Sequence, residues 1–324
     1  MGRDEIFTKL SISPVIKTNA GLRKVVSFSI NYRYGNRRGA TTRMPISNSV
    51  LATGNWFKFK IEETGIHRVT KEFLSSIGMN TDGVDPRNLK IYGHGGKPLP
   101  LYNGVPVDID LPENAIQVLG EEDGSFDSGD AILFYAIGTK GYDLENDTNI
   151  NPYSDEAYYY VTASGGPGMR VQNMVEPSGN ATTIISSFDD YKFHELDEES
   201  PVRVGRRWFG NRFDIENEQT FTFTFPNIVS QEPMDVTVKA VTASETSSSI
   251  ALSVNGTSLT PLTFSPPVGT SLLSTDEFMQ EVPAGGEEVT VELIYNNGGN
   301  PASVAYLDYI GISAVRRLSG TGVQ

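Results

Sequence analysis

Asp123-Gly124-Ser125-Phe126-Asp127-Ser128-Gly129-Asp130 sets three carboxylates close together among glycines that let the backbone turn. Hard oxygen donors at such spacing are what a calcium ion takes. Asp123, Asp127 and Asp130 are therefore candidate metal ligands, and calcium is the possible cofactor. The string lacks the Glu that closes an EF-hand loop, and Asp and Gly also build plain turns. A second string, Arg206-Arg207-Trp208-Phe209-Gly210, puts aromatic rings beside guanidinium groups. Exposed, it would stack on a partner or a sugar. Buried, it would clamp its segment to a domain through apolar contact and cation–π stacking, which is the preferred reading. Arg206, Arg207, Trp208 and Phe209 are thus candidate partner or domain contacts.

Other chemistry finds no complete pattern. His67, His94 and His194 belong to no H-E-x-x-H string, and His194-Glu195-Leu196-Asp197 has the wrong spacing for one. No G-x-S-x-G is present. Gly93-His94-Gly95-Gly96-Lys97 is followed by Pro98, where a phosphate loop needs Ser or Thr, so it reads as a tight turn. The chain has no cysteine, which excludes a thiol nucleophile, a disulfide and a thiolate metal site within it. Carboxylates are plentiful, but nothing marks a pair for glycoside hydrolysis. No catalytic residue is assigned.

The elements that would position these groups are short strands. Residues 25–30 alternate apolar and polar from Val26 onward, as a half-buried strand does. Residues 56–61, 89–92, 116–119, 131–135 and 158–161 read as strands separated by turns rich in Gly, Asn, Asp and Pro. One short helix is predicted after Thr70, its N-cap, with Phe73, Leu74 and Ile77 as its stripe and Gly78 as its stop. Further along, Phe221, Phe223 and Phe225 alternate with threonines, and Met234, Val236, Val238 and Ala240 alternate likewise. Ile250, Leu252 and Val254 run into Asn255-Gly256, a two-residue hairpin signal. Val289, Val291, Leu293 and Tyr295 form another strand. Residues 304–312 are apolar on both sides, so that strand is expected to be central.

The resulting expectation is a mainly β protein of two β-sandwich-like domains, the second jelly-roll-like, with one short helix in the first. Residues 1–165 form the first domain, 166–212 a connector, 213–316 the second, and 317–324 the start of a linker to a further domain. A net charge of −14 disfavours nucleic acid, whose binding needs phosphates neutralised by Lys and Arg, and disfavours an anionic membrane. No apolar run is long enough to span a bilayer, and the N-terminus has no hydrophobic signal core, so any signal peptide lies upstream of Met1.

Several strings, in order and spacing, resemble the sortase family of the type IX secretion system, which are gingipain-like cysteine peptidases. They run from Ser49-Val50-Leu51-Ala52-Thr53-Gly54-Asn55-Trp56-Phe57-Lys58 through Thr64-Gly65-Ile66-His67-Arg68-Val69-Thr70, Asn88-Leu89-Lys90-Ile91-Tyr92-Gly93 and Asn151-Pro152-Tyr153-Ser154-Asp155. His194-Glu195, Gly205-Arg206-Arg207-Trp208-Phe209-Gly210 and Tyr306-Leu307-Asp308-Tyr309-Ile310 continue the series. Val204 and Asn211 stand where the family pattern has Ser and Glu.

The resemblance implies a non-catalytic N-terminal region, exported to the cell surface or outer membrane of a Bacteroidetes-type bacterium. The family's Cys and His lie in a peptidase domain C-terminal to these strands, so none of its catalytic residues maps here. The implied partners are the protein's own C-terminal peptidase domain and outer-membrane secretion components such as PorV. Two other readings compete. One is a carbohydrate-binding β-sandwich with Trp208, Tyr295 and Tyr306 as its platform. The other is an inhibitory prodomain released by cleavage near residues 203–212.

Overall fold

The computed structural model describes residues 15–18, 21–24, 26–31, 48–102, 104–175, 178–179, 183–201, 207–269 and 271–319. The chain divides into two compact units: residues 1–53 with 100–111, and residues 54–99 with 112–324. In the first unit, Val15–Thr18 (β1) and Gly21–Lys24 (β2) pair as an antiparallel hairpin. Asp110 accepts from Ser49 Oγ at 2.9 Å and from the Val50 amide at 2.7 Å. The strand expected at residues 25–30 does not form. Val26, Phe28 and Ile30 are 89%, 59% and 57% exposed, and no sheet among the described residues includes them.

The second unit opens with Phe57–Ile61 (β3), whose Phe59 and Ile61 point inward while Lys58 and Lys60 face water. Gly65–Thr70 (β4) follows, then helix Lys71–Ser76 (α1). Thr70 Oγ1 caps it by accepting from the Phe73 amide at 3.3 Å, Leu74 is fully buried, and Gly78 turns away at φ 91°. Next come Lys90–Tyr92 (β5), Glu113–Asn114 (β6), Ile116–Leu119 (β7), Ala131–Ala136 (β8), Lys140–Asp143 (β9), Thr148–Ile150 (β10) and Ala157–Thr162 (β11). They give one sheet in the order β3-β11-β5-β6, a second in the order β4-β8-β7, and the β9–β10 hairpin. Between the two sheets lies a core of Phe59, Leu74, Ile91, Phe134, Tyr159 and their neighbours.

The rest of the unit is a second sandwich. Its strands are Ser187–Glu195 (β12), Gly210–Phe213 (β13), Glu218–Thr224 (β14), Pro233–Ala243 (β15), Ser248–Val254 (β16), Thr257–Ser258 (β17), Leu262–Phe264 (β18), Ser274–Pro283 (β19), Glu288–Asn296 (β20) and Val304–Arg317 (β21). One sheet runs β12-β21-β15-β19 with β13 also on β21, the other β14-β20-β16-β17 with β18 on β16. The expected hairpin turn is present, with Asn255 at φ 49° and Gly256 at φ 74°. The protein is therefore mainly β, with antiparallel sheets throughout and a single α-helix among the described residues.

The segment 166–212 is more than a connector, because it supplies β12, a nine-residue edge strand of the sandwich. Its inward residues sit at the rim, where Lys192 lies 5.5 Å from the Phe225 ring and His194 4.7 Å from that of Phe221. A strand with charge on both faces lacks the apolar alternation by which strands are recognised. Only part of the expected 317–324 linker lies within the described residues, and Arg317 there belongs to β21.

Candidate functional site

The expected calcium ligands do not assemble a cradle. Asp123 Oδ1 accepts from the Ser125 amide at 2.9 Å, and Asp130 Oδ2 from the Asp127 amide at 2.7 Å. These carboxylates fold the loop that carries them. Among the described residues no group of three or more acidic or histidine side chains is placed to hold a metal ion. Asp side chains in a tight turn accept from nearby amides.

Arg206 lies outside the described residues, but Arg207, Trp208 and Phe209 do not. Phe209 is buried against Val241 and Tyr306, with Leu273 and Val304 around them. Its amide and carbonyl pair with Glu199, each at 2.8 Å. Trp208 is 43% exposed. Arg207 makes ion pairs: Nη2 reaches Asp308 Oδ2 at 3.2 Å and Asp147 Oδ2 at 3.3 Å, and Nη1 donates to the Asp147 carbonyl at 3.0 Å.

Arg207 is one member of a buried polar junction where the β9–β10 hairpin meets the β12-β21-β15 face of the sandwich. Each of these three strands contributes. From β12, Glu195 accepts from Thr148 Oγ1 at 2.6 Å and from the Asn149 amide and Nδ2 at 2.6 and 2.9 Å. Tyr191 Oη donates to Asn149 Oδ1 at 2.7 Å. From β15, Lys239 is ion-paired with Asp147. From β21 come Asp308 and Tyr309, whose hydroxyl reaches Asp147 Oδ1 at 3.4 Å.

Two local irregularities aim these groups. Lys239 stands opposite Tyr309 while Ala240 stands opposite Leu307, so Asp308 is the extra residue of a bulge in β21. Opposite it, β13 carries its own irregularity at Asn211, whose φ of 44° suits Asn better than most side chains. Gly311 leaves room beneath Tyr191, since a Cβ there would lie 2.5 Å from the tyrosine hydroxyl.

The electrostatics follow from burial. Asp308 is 3% exposed, and loss of water pushes its carboxyl up to about 7 despite Arg207 and Lys239. Burial also raises Glu195 and Asp197. Burial works in the same sense on Asp147, but Lys239 and Arg207 outweigh it and hold that carboxyl below its usual range. The cavity lined by Thr148, Glu195, Asp197, Arg207, Trp208 and Asp308 measures about 20 Å³. That is the scale of a single water, too small for a sugar or any organic substrate.

The expected sugar platform is likewise not assembled. Tyr295 is 2% exposed and bonded to Ser303, and Tyr306 packs beneath Phe209. The histidines serve locally: His67 Nε2 contacts the Glu63 carbonyl at 2.9 Å, and His194 Nε2 contacts Asn211 Oδ1 at 2.6 Å. No helix among the described residues is long and apolar enough to cross a membrane.

Fold and junction together describe a mainly antiparallel β protein whose two sandwich-like parts within one unit are joined by buried charge. No family model and no curated protein matches the chain. Among solved structures, dimeric latent PorU from Porphyromonas gingivalis aligns over 85% of this chain with a TM-score of 0.65 and 24% identity. The likeness is one of fold, and the chain spans 25% of the length of that protein. Two carbohydrate-binding structures align less well. The CBM36-1 domain of a multidomain xylanase from the hindgut metagenome of Trinervitermes trinervoides has a TM-score of 0.27 and 16% identity, covering 41% of this chain and all of its own. A CBM36 module in complex with calcium and xylotriose has a TM-score of 0.25 and 13% identity, covering 40% of this chain and 99% of its own. Overlap at that level carries no argument about this protein.

Proposed function

We propose that this chain is a non-catalytic region of a PorU-like type IX secretion sortase, exported to the cell surface or outer membrane. In this reading it scaffolds a C-terminal gingipain-like cysteine peptidase domain, binds secretion partners such as the barrel PorV, or does both. The observation that carries the reading is the fold likeness to PorU across 85% of the chain. The ordered motif strings of the sequence support it. For the scaffold role, the supporting feature is that ion pairs and hydrogen bonds join the two sandwiches of the second unit.

The test is binding of the purified chain to the separately produced peptidase domain of the same protein, and to purified PorV, by calorimetry. Binding to either, weakened by substitutions on one exposed face, supports the scaffold. Binding to neither overturns it. Inhibition of the peptidase by the chain added in trans assigns the prodomain role instead. Binding to lipopolysaccharide sugars, lost in Trp208→Ala, would favour the glycan reading. Calcium enters only through that last reading, and a calcium-dependent glycan titration tests it.

A further inference from the structure

We propose that Lys90 is the floor of a binding site for an oxyanion, a carboxylate or a phosphate group, roofed by the turn at residues 164–168. Lys90 stands on β5 and is only 5% exposed, yet no described carboxylate pairs with it. Its Nζ donates to the Gly166 carbonyl at 2.9 Å and to nothing else among the described residues, which leaves two of the three ammonium donors unused. A buried ammonium without a counter-charge is costly. The acids around it are engaged elsewhere. Glu121 pairs with Arg170 at 2.9 Å. Glu113 accepts from the Tyr92 hydroxyl at 3.0 Å and from the Met169 amide at 2.5 Å. Arg170 is thus a cation with its own acid beside the same turn, and Lys90 is one without.

The turn above Lys90 supplies the remaining donors. Gly165 and Gly166 are both left-handed, at φ 85° and 86°, and their amides donate to no described group. Successive free amides at a turn make a concavity that suits an anion. The Ser164 hydroxyl accepts from the Asn55 amide at 3.3 Å and has no described acceptor for its own proton. At the far end of the turn, a Cβ on Gly168 would lie 2.5 Å from Lys90 Cγ, so the backbone rests directly on the lysine stem and fixes it. Gly165 keeps the way in open. A Cβ there would lie 3.5 Å from Lys90 Nζ, so an exposed position over the ammonium carries no side chain to cover it. Ammonium, amide and hydroxyl donors all seek oxygen, and an anion with several oxygens can take them together.

Glycine-selective 15N labelling of the full chain reads the site directly. The probes are sodium acetate and, separately, inorganic phosphate, each titrated at constant ionic strength. The expected result is a saturable shift of the Gly165 and Gly166 amides with at least one probe, while exposed glycines elsewhere, such as Gly256 and Gly286, stay in place. The tighter probe tells whether the site takes a carboxylate or a phosphate. Lys90→Met keeps the buried stem, removes the charge and weakens binding at least about tenfold. Gly165→Asp sets a carboxylate over the ammonium in a backbone setting that Asp tolerates, and abolishes the saturable shift of Gly166 in a folded protein. Should Lys90→Met fail to fold, Gly165→Asp decides alone. Gly165 and Gly166 amides that move with neither probe overturn the proposal, as do shifts shared by all exposed glycines. An affinity that the folded variants leave unchanged overturns it too, and Lys90 is then only a clamp for the turn.

Discussion

Replacing Asp308 with Asn tests whether the junction carries a buried, proton-binding carboxyl. Asn keeps the size of the side chain and leaves Arg207 its contacts with Asp147. In the folded protein Asp308 holds its proton up to a pKa of about 7, against 3.8 ordinarily. Between those values the folded state binds a proton that the unfolded chain has released. Stability from this group is therefore full at acidic pH and falls as pH rises towards 7. Proton linkage places the loss between pH 5 and pH 8 at about 2–3 kcal/mol. The assay is urea unfolding of both proteins at four pH values across that range, followed by tryptophan fluorescence, since Trp208 lines the junction cavity. Glu195 and Asp197 contribute slopes of their own in both proteins. The variant should lose most of the fall in stability that the wild type shows. Parallel profiles for the two proteins would refute the reasoning.

Gly311→Ala should destabilise by about 1–3 kcal/mol, because the new methyl group meets the Tyr191 hydroxyl anchored on Asn149, and thermal melts will measure it. Adding Tyr191→Phe removes that hydroxyl, so the double variant should be more stable than the two separate losses predict; additive losses would show that the two residues do not compete for one space. Asp130→Ala should cost about 1 kcal/mol through its lost bond to the Asp127 amide. The melting temperatures of wild type and this variant should respond alike to added calcium, as expected for a carboxylate that folds a turn.

The strands that the sequence reveals are those with one dry face. β14, β15, β16 and β20 alternate cleanly because their inward residues enter a single core. β12 escapes notice because it is an edge strand whose inward positions carry Lys192 and His194. Residues 25–30 mislead in the opposite direction, since their alternation is genuine but nothing among the described residues covers it. The junction left one trace in the sequence: Asp308, a carboxylate inside the run 304–312 that is otherwise apolar on both faces. Its partners Asp147, Glu195 and Lys239 sit far apart along the chain, in segments that read as turn, connector and exposed strand face. Only the docking of the hairpin brings them together. Arg207 pairs with the carboxylates of Asp147 and Asp308, and Phe209 packs against Val241 and Tyr306.

The bulge in β21 binds chain length to charge. Inward-facing positions run Ala305 and Leu307 before it and Ile310 and Ile312 after it, a spacing that only the extra residue reconciles. Deleting Asp308 would smooth the ladder, with Leu307 and Ile310 still facing inward two positions apart, but would strip Arg207 of a partner. Inserting a second residue beside the bulge would invert one half of the strand. Homologous chains should therefore vary freely in the turns around this strand but keep the number of residues between Ala305 and Ile312 constant. An alignment gap at that point would mark a protein that has lost the joint between its two sandwiches.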